Sequence, residues 1–278
     1  MRLLNKVCVV AGSSGALGSA VARRLSAEGA HLALTYLTVN PQGLLEELSR
    51  GPGRIACYRL EITDWNQVQS AIQRIKADFG GIDVLVNCSG ILGPIGPFED
   101  LDMREWARTV ETNLLGSVYL ARAVLPFMKE RGRGKIILFS GGGAAYGKPY
   151  FTPYSSSKAA VVRFVESLAQ ELETANIQVN AVAPGAVWSR MWEEMRAAGQ
   201  AGGPKLLGEL EHMEETGGAS PERAAGLVSF LASEGSNRLT GRLLSAVWDD
   251  WEHFADHMDE IVASEAFTLR RVALKKIP

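Results

Sequence analysis

Cysteine is scarce in this chain: Cys8, Cys57 and Cys88 are the only three in 278 residues. The count is odd, and no two are spaced as metal ligands. Each lies in or beside an apolar run, so buried, reduced thiols are expected and a disulfide framework is not. Neither charge sign is in excess, the formal net charge being −2. That gives no basis for binding nucleic acid or an anionic membrane surface. No apolar run is long enough to span a bilayer. A strand pattern (KVCVVAG) begins at Lys6, which leaves no room for a signal peptide. A reducing, cytoplasmic setting is the expectation. Repeats of roughly 20–50 residues and low-complexity segments are also missing.

What is present is a regular alternation. Short runs rich in Val, Ile and Leu trade places with longer helical patterns. The runs predict strands at 6–11, 31–36, 54–60, 82–87, 135–140 and 178–183. The periodic segments predict helices at 17–28, 42–50 and 65–79, over a long region 103–129, and at 153–173. Nearly continuous apolar strands between helices argue for an α/β fold: a doubly wound parallel sheet with helices on both faces. Such sheets bind ligands outside the carboxyl ends of their strands.

The chemistry concentrates between Ser140 and Lys158, where the sequence reads SGGGAAYGKPYFTPYSSSK. Tyr154 and Lys158 are four apart, on one face of the predicted helix. A phenol beside an ammonium is expected to titrate below its usual value near 10. It would then exchange a proton with a substrate oxygen, half of a carbonyl/alcohol interconversion. The other half is a hydride, which a cofactor must carry. The loop after the first strand, Gly12-Ser13-Ser14-Gly15-Ala16-Leu17-Gly18, lets backbone approach a pyrophosphate at a helix N-terminus. Its glycine spacing is not that of GxGxxG, and alone it is equally a plain turn. The end of the second strand, Thr35-Tyr36-Leu37-Thr38, offers neither an acid for a ribose hydroxyl nor an Arg for a 2′-phosphate. Nothing there repels a phosphate and Thr38 is a donor, so NADP is preferred over NAD. Asp64 reads as an N-cap of the helix that follows.

Collected in order, these residues resemble the short-chain dehydrogenase/reductase family, of the compact single-domain type, over about residues 6–244. The resemblance implies a Rossmann-like domain at 1–248, with a substrate lid at about 188–218 and a tail extension at 249–278. It implies an NAD(P)-dependent oxidoreductase that interconverts a ketone and a secondary alcohol. Gly12, Ser14, Gly15, Leu17 and Gly18 resemble the cofactor loop TGxxxGxG, with Ala11 in place of Thr and Ala16 in place of the middle Gly. Tyr36, Glu61, Ile62, Asn87, Ser89 and Gly90 complete the expected cofactor wall, Glu61 and Ile62 at the adenine. Pro184, Gly185, Val187 and Ser189 resemble PGxVxT, which holds the nicotinamide carboxamide. Asn113, Ser140, Tyr154 and Lys158 are the expected catalytic set. In it Asn113 keeps a relay water, and Lys158 also holds the nicotinamide ribose. No metal is expected.

Two departures stand out. The family's serine usually lies thirteen positions before the tyrosine, where this chain has Gly141; Ser140 lies fourteen before. The tail replaces a short ending and carries Trp251, Phe254, Met258 and Ile261 at helical spacing, one stripe expected to pack on its own or a neighbouring subunit. His253 and His257 in the tail read as solvated. In the lid, Trp188, Met191, Trp192 and Met195 are either pocket wall or lid packing, around a glycine-rich middle expected to be flexible. Arg190 reads as a solvated charge. The resemblance also implies a small-molecule substrate and a homodimer or homotetramer. Two other readings stay open: a redox-neutral enzyme acting on a nucleotide sugar, and a non-catalytic NAD(P)-binding sensor or scaffold.

Overall fold

The chain is described by a computed structural model over residues 1–271. Val7–Ala11 (β1) is apolar and buried on both faces, so it must lie inside a sheet. It pairs in parallel with His31–Tyr36 (β2) on one side and Val84–Asn87 (β4) on the other. With Ile55–Arg59 (β3), Gly134–Phe139 (β5), Ile177–Ala183 (β6) and Leu243–Ser245 (β7), the order is β3-β2-β1-β4-β5-β6-β7. All six pairings are parallel. The winding reverses between β1 and β4, which opens a crevice at the carboxyl ends.

Ten helices flank the sheet among the described residues: Ala16–Ala27 (α1), Gln42–Leu48 (α2), Trp65–Phe79 (α3), Met103–Val110 (α4), Gly116–Glu130 (α5), Thr152–Glu171 (α6), Arg190–Ala198 (α7), Gly203–Thr216 (α8), Pro221–Ala232 (α9) and Met258–Ala263 (α10). One face of the sheet packs on α1 and α9, through Val21, Leu25, Leu227 and Leu231. The other packs on α3, α5 and α6, through Ile72, Val124, Val161 and Val165. Each such fully buried side chain contributes roughly 1.5–3 kcal/mol. Asp64 caps α3 as expected: its carboxylate accepts from Asn66 N at 2.9 Å and Gln67 N at 3.1 Å. The helix ends at Gly80, whose φ of +80° is the left-handed C-cap that glycine supplies.

Every strand and all but one helix expected up to residue 183 are present, shifted by a few residues at their ends. One expected element is broken. The region 103–129 is not one helix: a π-helical turn, Glu111–Leu115, separates α4 from α5. A third, smaller cluster forms beyond β6. Leu92 and Phe151 meet Trp192 and Met195 of α7 and Leu206 and Met213 of α8. The glycine-rich middle of this segment is a short 3-10 turn, Gly199–Gly202, joining the two helices.

The tail packs on its own chain. Trp251, Phe254, Met258 and Ile261 all join the α1/α9 core. They do so from a 3-10 turn (Trp251–His253) followed by α10, not from one continuous helix. The chain then runs along β7: Leu243 N donates to Phe267 O at 2.7 Å, and the Arg242 guanidinium donates to the carbonyls of Ser264 and Ala266. The last part of the expected tail, 272–278, lies outside the described residues.

Candidate active site

Four strand ends and one helix bring the expected residues together. Ala11 O accepts from Cys88 N at 2.9 Å, so the loops after β1 and β4 lie side by side. Gly12 has φ +74°, and a Cβ there would sit 2.8 Å from Ser89 Oγ. At Gly18 a Cβ would meet Gly12 O at 2.2 Å. Both positions therefore require glycine, for close approach of strand and helix. Gly15 is different: it is the N-cap of α1, and a Cβ there would meet nothing closer than 3.6 Å. Ala16 begins the helix at the exposed surface, so its methyl causes no clash. The first-turn amides of α1, at Ala16, Leu17 and Gly18, point out of the helix end as ready anion donors. This cradle fits a dinucleotide pyrophosphate.

Asn87 is buried at the end of β4. Its side chain accepts from Ser89 N at 3.0 Å and donates to Ser117 Oγ at 3.0 Å. Asn113 is fully buried within the π turn, and its amide is spent on protein. Oδ1 accepts from Ile91 N at 2.9 Å; Nδ2 donates to Ile91 O at 2.9 Å and to Ser157 Oγ at 3.0 Å. It therefore ties the β4 loop to α6. Gly90 sits at the junction: a Cβ there would meet Asn113 Oδ1 at 3.1 Å and Lys158 Nζ at 3.3 Å.

Lys158 is 3 % exposed and donates to Phe139 O at 2.9 Å. Its Nζ lies 5.7 Å from the centre of the Tyr154 ring. The expected lowering of the Tyr154 pKa is not found. Burial pushes the phenol up to about 12. Burial also pulls Lys158 down from 10.5 to about 8. Loss of solvent disfavours the charged form of each group. The phenol is thus held as a proton donor near neutral pH.

Ser140 is buried at the end of β5, and its hydroxyl donates to Lys158 O at 3.3 Å. Gly141 lies against the reacting phenol: a Cβ there would come 2.5 Å from Tyr154 Oη. The position that usually carries the serine is thus closed to a side chain while the phenol stays where it is.

The remaining expected residues line the rim or support it. Tyr36 ends β2 half-buried. Glu61 Oε1 accepts from Thr63 N at 3.1 Å. Ile62 is spent on packing, since a Cβ at Gly116 would meet its Cδ1 at 2.6 Å. Pro184 and Val187 are buried, Ser189 begins α7, and Gly185 has φ +85° against Val247. Trp192 and Met195 are buried in the third cluster, against Leu92 and Phe151. Met191 lies 3.8 Å from the Gly90 position, and Trp188 is 41 % exposed under the Arg196 guanidinium. Lys148 ties the catalytic loop to α8 through Glu209 at 2.6 Å. Arg190 pairs with Glu194 on an open surface, and His253 and His257 pair with Asp250 and Glu260 in solvent.

One residue was missed from sequence. Arg59 ends β3, opposite Tyr36, and its Nε donates to Leu37 O at 3.2 Å. The guanidinium therefore stands at the end of β2, beside Thr35-Tyr36-Leu37-Thr38. The strand register, not any motif, delivers it.

Known proteins share this arrangement. The short chain dehydrogenase family profile matches residues 6–200. A 3-oxoacyl-(acyl-carrier-protein) reductase of Thermotoga maritima is 32 % identical over 88 % of this chain and 97 % of its own length. A galactitol 2-dehydrogenase of Agrobacterium fabrum is 30 % identical over 90 % of this chain and 99 % of its own. Among solved structures, an actinorhodin polyketide ketoreductase variant with NADPH superposes with TM-score 0.79 at 27 % identity, covering 86 % of this chain and 95 % of that one. An NAD+-bound xylitol dehydrogenase gives 0.79 at 26 %, covering 88 % and 98 %. On its sequence, its sheet order and the convergence of Asn113, Tyr154 and Lys158, the chain belongs to the short-chain dehydrogenase family and is an oxidoreductase.

Proposed function

We propose that this protein is an NAD(P)-dependent reductase of a ketone, running in reverse as a secondary-alcohol dehydrogenase. The observation that carries the reading is a half-buried Tyr154, held in its protonated form, with Lys158 behind it. The cradle of Gly12, Ser14, Gly15, Leu17 and Gly18 holds the pyrophosphate. Tyr36 and Glu61 would border the adenosine, with Ile62 packed behind them in the core, and Asn87, Ser89 and Gly90 would line the far side. Pro184, Gly185, Val187 and Ser189 take the carboxamide end, and Lys158 the ribose. A nicotinamide, when bound, supplies the hydride.

Tyr154 Oη gives its proton to the substrate oxygen. The Lys158 ammonium offsets the phenolate that remains. Ser140 turns its hydroxyl from the long bond to Lys158 O onto the substrate oxygen, a stronger acceptor as charge develops there. Asn113 is a positioning residue that fixes the β4 loop against α6. Trp188, Met191 and Tyr150 face the substrate side of the lid.

NADP is the preferred cofactor, because Arg59 supplies the cation that the β2 end lacks. Fluorescence titration with NADPH and NADH tests this. Arg59→Ala weakens NADPH roughly tenfold and leaves NADH unchanged; equal affinities in the wild type overturn the preference. Half-buried apolar residues on α5 and α6 (Leu125, Phe127, Phe164) favour a homodimer or homotetramer. The three free thiols and the lack, among the described residues, of a helix able to cross a membrane fit a cytoplasmic protein. The redox-neutral and non-catalytic readings have no support from the relatives found.

A further inference from the structure

The opposite end of the sheet holds a feature that the redox chemistry does not use. On β5, Lys135, Ile137 and Phe139 share one face. Ile137 and Phe139 are core residues of the α1/α9 layer. Position 135 therefore belongs to the same core row, yet it is a lysine, 8 % exposed. Its neighbours across the sheet are Val84 and Gln178.

The ammonium is under-satisfied. It carries three donors. Its one partner among the described residues is Ser236 Oγ at 3.1 Å. That hydroxyl is itself directed at the carbonyls of Leu231 and Ser233. Lys135 also lines a cavity of about 270 Å³ at the amino ends of the strands, with Lys6, Arg133, Gln178 and Asn237.

The charges around it are unbalanced. Asp83 is already committed: it accepts from Val7 N at 2.9 Å and pairs with Arg131 at 3.4 Å and Arg133 at 3.3 Å. Glu234 meets Lys6 at 3.6 Å from an open position. Lys6, Arg131, Arg133 and Lys135 thus face only Asp83 and Glu234. Burial, helped by the nearby Lys6, pulls Lys135 from 10.5 to about 7, with Glu234 acting the other way. The amine is poised to take up a proton when a negative group arrives.

We propose that this cavity is a binding site for a small oxyanion, the carboxylate or phosphate of a metabolite, held between Lys135 and Lys6 with the amides of Gln178 and Asn237. The volume, near the roughly 300 Å³ lower end for small-molecule pockets, suits a small anion. Above about pH 7 binding holds Lys135 as ammonium, with proton uptake approaching one as the free amine predominates, so affinity falls as pH rises. The cavity lies at the amino ends of the strands, away from Tyr154, and its occupation is independent of the redox reading.

Calorimetric titration of the full chain with inorganic phosphate and with malonate tests the site. Saturable binding of at least one is expected at pH 7, and the responding anion tells phosphate from carboxylate recognition. Malonate binding, where seen, is roughly tenfold weaker at pH 8.5 and takes up a proton from the buffer. Lys135→Met keeps the apolar stem and removes the charge. It is expected to lower affinity at least tenfold and abolish proton uptake. Lys6→Met is the second variant, should Lys135→Met fail to fold, and weakens binding with proton uptake retained. No binding of either anion to the wild type at pH 7, or equal binding by folded Lys135→Met, overturns the proposal.

Discussion

Lys158 and Lys135 are buried in the same sheet, one at its carboxyl end and one at its amino end. Each has one hydrogen-bond acceptor, Phe139 O or Ser236 Oγ. Burial lowers both, to about 8 and about 7. The same physical cost is thus met twice, with different surroundings. Lys158 faces a phenol in a cleft lined by loops of four strands. Lys135 faces other cations, and no proton acceptor or donor of the reaction lies near it. The difference teaches that a lowered lysine is not by itself a sign of catalysis; the group it stands beside decides.

The comparison breaks if the two ends are not separable. The largest effect is expected at Tyr154. Tyr154→Phe keeps the ring and removes the proton, and should lower kcat for ketone reduction by about 10³ or more with NADPH affinity nearly unchanged. Retained turnover would remove the basis of the redox reading. Next is Ser140→Ala, which should cost about 10² in kcat and little in cofactor binding. An active variant would assign Ser140 to tying β5 to α6 and leave polarisation to the glycine backbone at 141–143.

The pH profile sharpens the contrast. Reduction leaves a phenolate that needs the Lys158 ammonium, and that ammonium is lost as pH rises through about 8. Hence kcat/KM should fall about tenfold per unit above that pH, and the limb should vanish in Lys158→Met. Lys135 gives the smallest effect on turnover, namely none, and a measurable one on stability. Its folded value, about 7, lies below the unfolded 10.5. Its destabilising effect is therefore absent above pH 10.5, grows as pH falls toward 7 and is constant below that. Denaturant unfolding should show Lys135→Met more stable by roughly 2–4 kcal/mol at pH 7, with the gain shrinking toward pH 10.

Much of the cofactor end was legible because each role there is bound to a residue type at a fixed spacing. Gly12 and Gly18 announce close approach; Asp64 announces a cap; Tyr154 and Lys158 announce a shared helix face. The π turn at Asn113 was not legible, since ETNLLG reads as ordinary helix and only packing decides the hydrogen-bond register. Arg59 was hidden for another reason: parallel pairing brings the ends of β2 and β3 together, though they are far apart in sequence. The titration of Tyr154 was misjudged because spacing reports proximity to a charge and says nothing of lost solvent. In the segment 188–218 the sequence shows the aromatic residues, but the burial of Trp192 is fixed by Leu92 and Phe151, outside the segment.

The chain between Ser264 and Leu269 lies along β7. An edge strand with free amides is a template on which another copy can add its own strand. Here Phe267 O occupies the amide of Leu243, and the Arg242 guanidinium clamps the covering segment in place. The tail therefore denies that amide to an incoming strand at one margin of the seven-stranded sheet. Shortening this protein at Ala263 for expression would reopen that margin, and loss of solubility, rather than of fold or chemistry, would be its first consequence.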